Sequence, residues 1–160
     1  MISWMNRENN LHVELTNRTW LKIIKKCNES YPNETGGILV GEYNRNLKRA
    51  RICEIYCSNE SISKRFNFIK RPKKINQFLL DLWNSKKFKQ FFVGEWHSHP
   101  GYYPYPSSLD DATMYKIAAD YKCACSRPIL IIPTGTPRKW FAKRIWVYTR
   151  EKIKLTLDNS

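Results

Sequence analysis

Two histidines separated by one residue are the side chains of this sequence best suited to chemistry. His97 and His99 lie in the stretch EWHSHP, directly after the apolar run FFVG. Alternate residues of a β-strand point to the same face, so the two imidazoles would project in parallel. Imidazole is a common zinc ligand, and a catalytic zinc ion has three protein ligands and one position left to water. The pair therefore predicts two ligands of a metal site that needs a third.

The segment after the histidines offers a third ligand in two ways. A loop rich in proline and tyrosine follows His99, and the sequence SSLDD then begins an amphipathic stretch. Ser107/Asp110 and Ser108/Asp111 have the same three-residue spacing, which would place either pair on one helix face. A serine cap followed by first-turn acids is also an ordinary helix start. The spacing alone does not choose between the two pairs.

Hydrophobic patterns predict the elements that would position these residues. Alternating or continuous apolar runs predict strands, and apolar residues at helical spacing predict helices. The strands are expected at residues 11–16, 34–43, 49–57, 65–69, 90–99, 128–133, 139–150 and 151–158, and the helices are expected to begin at Thr16 or Asn17, near Pro72 and at the serine pair. Strands that come in runs between helices predict a mixed α/β fold, with a mixed β-sheet sandwiched by helices. We expect one domain over residues 1–160, with a core at about 11–158 and a short N-terminal lead.

The charge is strongly positive. The chain has 28 Lys and Arg against 14 Asp and Glu, a formal net charge of +14. Such a charge favours acidic partners, which include nucleic acid, an acidic protein face or a membrane surface. The basic residues cluster at 44–51, 64–74 and 137–144. Charge alone predicts an acidic partner surface without identifying it.

The composition predicts a cytoplasmic protein without membrane contact. No stretch approaches the ~20 apolar residues that a membrane helix needs, and the first residues lack the apolar core of a signal peptide. The odd number of cysteines, five, favours thiols over disulfides in such a protein. Cys53/Cys57 and Cys123/Cys125 do not have the two-residue spacing of common zinc knuckles. Burial in strands explains the first pair more simply.

Two separated motifs resemble the JAMM (MPN-domain) metalloprotease family. Its motif is His-x-His, seven residues, Ser, two residues and Asp, with a glutamate upstream that precedes a Gly-x-Leu-x-Gly-like strand. The stretch from His97 to Asp110 has this spacing, and ETGGILVG supplies Glu34. The seven-residue count selects the pair Ser107/Asp110. The resemblance covers about residues 11–158 and is closest to compact prokaryotic members.

The resemblance implies a fold, a cofactor and residue roles. The expected architecture is the JAMM/MPN one, which is cytidine-deaminase-like. His97, His99 and Asp110 would bind Zn²⁺, which lowers the pKa of bound water toward ~7. Glu34 would act as the general base and pass the proton to the leaving amine. Ser107 would donate a hydrogen bond to the oxyanion.

The resemblance also implies a substrate class. Active members are peptidases or isopeptidases that cut after the C-terminal glycine of ubiquitin or a ubiquitin-like protein. Short members with EWHSHP are similar to the deconjugating peptidases of bacterial anti-phage (CBASS-like) operons, where the conjugated target is a nucleotidyltransferase. Tyr102, Tyr103 and Tyr105 would flank the substrate channel. Glu95, on the same strand face as His97, either contacts the metal ligands or the substrate or is a solvated acid.

Other functions remain as alternatives. RadC-type proteins share a similar metal motif and are linked to DNA repair, and the positive charge suits such a role. Their usual His-Asn-His-Pro-Ser-Gly sequence is absent, since this chain has HSHPGY. Nucleic acid is therefore not the expected partner, although the charge leaves it open. A third hypothesis is a metallopeptidase that processes sulfur-carrier precursors or cell-wall peptides.

Overall fold

Strands dominate the computed structural model, which describes residues 1–57, 73–85, 90–101, 103–123 and 125–158. The strands are β1 (Ile2–Asn6), β2 (Leu11–Leu15), β3 (Gly36–Tyr43), β4 (Arg49–Tyr56), β5 (Phe91–His97), β6 (His99–Pro100), β7 (Ile129–Ile131), β8 (Thr134–Thr136), β9 (Lys139–Phe141), β10 (Arg144–Tyr148) and β11 (Lys152–Leu157). The helices are α1 (Asn17–Ser30), α2 (Lys73–Ser85) and α3 (Ser108–Ala119).

Eight of the strands form a sheet that closes into a barrel, in the order β1-β11-β10-β7-β5-β3-β4-β2. The first strand makes the closure, because Trp4 lies opposite Leu157 of β11 on one side and Val13 of β2 on the other. The expectation of an N-terminal lead is wrong, because these residues form a strand, and the mixed sheet closes into a barrel. The described fold is mixed α/β, but it consists mostly of strands, and its sheet is closed.

Helices nevertheless pack against both faces of the sheet. From α1, Ile23 and Cys27 join one buried cluster, which also contains Trp4 and Leu39. A second cluster has Met114 of α3 and other α3 residues packed on the opposite sheet face. Partly buried residues of α2 pack against this second cluster. The amphipathic patterns of the sequence therefore predicted correctly that helices would cover the sheet.

The middle of the barrel brings the two sequence motifs together. Strands β3 and β5 are antiparallel neighbours, with Gly36 opposite His97. A Cβ at Gly36 would lie 2.4 Å from the carbonyl oxygen of Trp96, so the close approach of the two strands requires glycine there. The segment that follows Glu34 is thereby placed beside the first histidine.

A small second sheet positions the other histidine. It has the order β6-β8-β9, and His99 pairs with Thr134. The backbone N–H of His99 also donates to the carbonyl of Pro133 at 2.9 Å. No sequence pattern predicted this sheet, because its strands are two or three residues long and their pairing is distant in the chain.

Some of the predicted element boundaries agree with the structure, and others differ from it. Thr16 is the cap of α1, since its hydroxyl accepts a hydrogen bond from the N–H of Thr19. The predicted strand at 139–150 is divided into β9 and β10. The predicted strand at 65–69 and most of the basic segment 64–74 lie outside the described residues. Within the described ranges, the cysteines form no disulfide, and no helix has the length and apolarity to cross a membrane.

Replacement of Trp4 tests whether β1 completes the barrel. Its side chain is fully buried, and its indole N–H donates to the carbonyl of Ala142 at 2.7 Å. We expect Trp4→Ala to lower the free energy of unfolding by about 3–5 kcal/mol, because it removes a large core side chain. The neighbouring Met5, which is only half-buried, provides a matched control. Urea unfolding followed by circular dichroism measures both, and equal small losses for Trp4→Ala and Met5→Ala would contradict the closure.

Candidate metal centre

Three possible ligand atoms meet at the ends of β5, β6 and α3. The Nε2 atoms of His97 and His99 are 3.2 Å apart, and Asp110 Oδ2 is 3.5 Å from His97 Nε2. All three ligand atoms lie within 4.8 Å of one another. Tetrahedral zinc, with bonds of about 2.0–2.2 Å, places its ligand atoms about 3.4 Å apart. The spacing and the donor types therefore fit zinc.

The residue between the histidines fixes the strand end. Ser98 points away from the cluster and is fully buried. Its N–H donates to the carbonyl of Thr35 at 2.6 Å, and its Oγ accepts from the N–H of Thr35 at 2.9 Å. Glu34 is thereby held next to His97 and His99, although it lies more than sixty residues earlier in the chain.

The tautomer of His99 suits a ligand. Its Nδ1 lies 3.1 Å from the carbonyl oxygen of Tyr103. A nitrogen that faces a carbonyl carries the proton, so the lone pair of Nε2 faces the cluster. Burial, together with the neighbouring His97, lowers the pKa of His99. The imidazole is therefore neutral at pH 7, which is the form that binds a metal.

Asp110 belongs to a capping box and to the cluster at the same time. The Ser107 N–H donates to Asp110 Oδ2 at 2.6 Å, and the Asp110 N–H donates to Ser107 Oγ at 3.2 Å. Burial alone would raise the pKa of Asp110, but the hydrogen bond and charge of His97 and the bonds from Ser107 outweigh it and lower the pKa. The carboxylate is therefore ionised and fixed in orientation.

The competing pair lies elsewhere. Asp111 accepts hydrogen bonds from the hydroxyl of Tyr148 and from the Lys152 ammonium, the latter at 2.6 Å. Ser108, its partner in the alternative pair, is exposed. Of the two aspartates, only Asp110 therefore lies against the histidines.

Glu34 approaches the cluster from the segment just before β3. Its Oε1 lies 3.9 Å from His99 Nε2, and 55 % of its side chain is exposed. The carboxylate is thus near the cluster without being one of the three converging atoms. This position suits a group that exchanges protons with water or substrate.

Sequence reasoning left the state of Glu95 open, and the structure makes it a buried acid. It is 8 % exposed and faces a small pocket of about 60 Å³, which Gly36, Asp110 and Thr113 also line. Its Oε1 has no hydrogen-bond partner among the described residues. Burial, with a contribution from Asp110, raises its pKa to about 8. The signal in the sequence was its position on the buried face of β5, two residues before His97.

Comparisons with known proteins identify the family of this chain. Residues 16–147 match the family described as prokaryotic homologs of the JAB domain. The chain therefore belongs to the prokaryotic JAB-domain family, and the resemblance drawn from the two motifs is confirmed.

Two individual proteins illustrate the relationship. A protein of Enterobacter hormaechei named CD-NTase/cGAS isopeptidase is 33% identical over 126 residues, which are 78% of this chain and 68% of the relative. The solution structure of a protein from Desulfitobacterium hafniense is similar in fold, with a TM-score of 0.61 at 17% identity. That similarity covers 91% of this chain and 89% of the other.

A pair of adjacent substitutions tests the choice of aspartate. Asp110→Asn removes the anionic donor, so we expect zinc affinity to fall by more than the roughly 10- to 100-fold typical of losing an outer-sphere partner. Asp111→Asn removes the same charge one residue later and should leave zinc affinity within about threefold of the unmodified protein. Competition titration with a chelator measures both affinities. Equal losses in the two variants would contradict the assignment.

The pKa of Glu95 predicts an effect of pH on the metal-free protein. Its pKa is raised to about 8 in the folded state, whereas an unfolded glutamate ionises near ~4.3. Between these values unfolding releases a proton, so stability falls as the pH rises. We expect Glu95→Gln to exceed the unmodified protein in urea midpoint at pH 8 and to lose most of that margin at pH 5. The exposed Glu8 serves as a control through Glu8→Gln, and a margin for Glu95→Gln that does not change with pH would exclude this explanation.

Proposed function

We propose that this protein is a zinc-dependent isopeptidase or peptidase that cuts after the C-terminal glycine of a ubiquitin-like protein. The observation that carries the proposal is the convergence of His97, His99 and Asp110 beside Glu34 in a chain of the JAB-domain family. The family and the isopeptidase name of the Enterobacter relative support a hydrolase. The metal and the substrate are the finer parts of the proposal.

Two imidazoles and one carboxylate would hold the metal. His97, His99 and Asp110 form a three-ligand set that leaves a position for water, as catalytic zinc sites do. When bound, Zn²⁺ supplies Lewis acidity, which makes water a better nucleophile near neutral pH and polarises the substrate carbonyl. The residues around the site carry the remaining steps.

Glu34 is the proton carrier of the proposed reaction. Its carboxylate takes a proton from the attacking water while the water oxygen bonds to the carbonyl carbon. It then gives that proton to the leaving nitrogen as the carbon–nitrogen bond breaks, which yields a carboxylic acid and an amine. Its exposed position beside His99 supports this role, because the side chain has room to serve both atoms.

Ser107 stabilises the developing oxyanion. A serine hydroxyl can accept one hydrogen bond and donate another, so its bond from the Asp110 N–H is compatible with donation to substrate. It lies at the N-terminus of α3, where the helix dipole also favours negative charge. Removing a single oxyanion donor of this kind typically costs about 10²–10³ in kcat.

The substrate is proposed to be a conjugate, and an acidic surface on it would suit the charge of this chain. The name of the Enterobacter relative supports a nucleotidyltransferase of the CD-NTase/cGAS type as the conjugated target. The anti-phage role remains part of the proposal. Lys48, Arg127 and Arg150 line an open groove that includes none of the candidate site residues. Nucleic acid is the competing partner, and its binding would weaken steeply with salt and persist in Glu34→Ala.

Substitution of the proton carrier tests the reaction. We expect Glu34→Gln to retain stoichiometric zinc and to lower kcat by about 10²–10⁴, because general acid–base catalysis contributes on that scale. Glu42 lies near the other end of β3, away from the site, so Glu42→Gln should change neither zinc content nor kcat. Elemental analysis and hydrolysis of an isopeptide-linked ubiquitin-like conjugate measure the two effects. Activity that survives complete chelation of the metal would disprove the mechanism.

A further inference from the structure

Two exposed tyrosines and one arginine form a surface that the proposed reaction does not use. Tyr103 is 66% exposed and Tyr105 is 44% exposed, and their ring centroids are 5.6 Å apart. Arg144, at the start of β10, lies next to the second ring. We call these three residues the aromatic ledge. Adjoining exposed aromatic rings with an arginine are typical of surfaces that bind partners.

The ledge is continuous with the metal centre. The ring of Tyr103 stacks on that of His99, with centroids 6.4 Å apart and an interplanar angle of 21°. The carbonyl of Tyr103 also accepts the bond from His99 Nδ1 at 3.1 Å. The ledge therefore adjoins the metal centre on the His99 side.

Arg144 orders the ledge and gives it a positive end. Its guanidinium carbon lies 5.0 Å from the ring centroid of Tyr105, and one of its N–H groups donates to the hydroxyl of that tyrosine at 2.5 Å. A guanidinium has five N–H donors, and no carboxylate of the described residues forms an ion pair with Arg144. The ledge thus offers apolar ring faces together with donors for an anion.

The positions of the proposed proton carrier and oxyanion donor define which part of the substrate meets the ledge. Glu34 lies beside His99, whereas Ser107 is bonded to Asp110 on the His97 side. The leaving nitrogen must be near the group that protonates it, and the carbonyl oxygen near its hydrogen-bond donor. The leaving group therefore lies on the side of His99, where Tyr103 stacks.

We infer that the aromatic ledge is a leaving-group subsite that selects isopeptide bonds. The four-methylene stem of a lysine side chain would lie on the rings of Tyr103 and Tyr105, and a carboxylate next to that lysine would bind Arg144. This inference rests on the proposed hydrolysis for the direction of the substrate. It adds that the target protein carries an acidic residue beside its modified lysine.

Binding of two probes tests the inference without requiring turnover. The first probe is acetyl-Gly-Gly joined to the lysine ε-nitrogen of a short peptide with a neighbouring aspartate, and the second is acetyl-Gly-Gly-methylamide. Zinc-loaded protein with Glu34→Gln should bind the first about 5- to 20-fold more tightly, the scale expected from partial burial of a lysine stem. Tyr103→Ala and Arg144→Ala should reduce that preference. Tyr121→Ala and Lys143→Ala, which remove a tyrosine and a neighbouring basic side chain outside the ledge, should keep it.

Two further comparisons separate binding from structural damage. Tyr103→Phe keeps the ring and should retain the preference, and all variants should hold stoichiometric zinc. Replacing the aspartate of the first probe by asparagine should weaken its binding about two- to fivefold when the protein has an unmodified ledge. The same replacement should have no effect on binding to Arg144→Ala. Equal binding of the two probes, including no detectable binding of either, or equal losses in Tyr121→Ala, would overturn the inference. Failure of the unmodified enzyme to cleave the first probe despite the binding preference would instead count against the proposed hydrolysis alone.

Discussion

Two buried hydrogen bonds between Thr35 and Ser98 hold the candidate site together. They join residues 63 positions apart in the sequence, and both residues are almost completely inaccessible to water. A buried polar group left without a partner costs about 1–3 kcal/mol, so this link is strongly favoured once β3 and β5 have paired. Glu34 precedes one end of the link, and the two histidines flank the other. Loss of the link would separate the proposed base from the proposed ligands without touching either.

At the start of α3, one side chain contributes both to helix stability and to the candidate site. One oxygen of Asp110 completes the capping box with Ser107 and also faces His97. The helix thus begins at the place where an ionised carboxylate is needed, and the cap restricts the rotation of that side chain. A metal ligand with a fixed orientation loses less conformational freedom when an ion binds. Local helix chemistry and the candidate metal centre therefore depend on the same pair of residues.

Much of the fold and of the candidate site could be predicted from the sequence, and the features that were not predicted have physical causes. Strand alternation was enough to place His97 and His99 side by side, because that geometry is local. The choice between Asp110 and Asp111 was not local, since it depends on Tyr148 and other distant residues that engage Asp111. The strand formed by the first residues was missed, because five residues without clear alternation gain their stability from non-local pairing. The position of Glu95 two residues before His97 indicated its strand face, but its burial could not be predicted, since it depends on α3 packing over that part of β5.

The closed sheet has a consequence for the behaviour of the protein in concentrated solution. Since β1 pairs with both β2 and β11, the eight-stranded sheet of the described residues closes without a row of unpaired backbone groups along its sides. Proteolytic trimming ahead of Leu11 would uncover two such rows at once. Exposed strand edges recruit other chains into intermolecular sheets. The first ten residues are therefore a safeguard against self-association, even though they lie outside both motifs of the site.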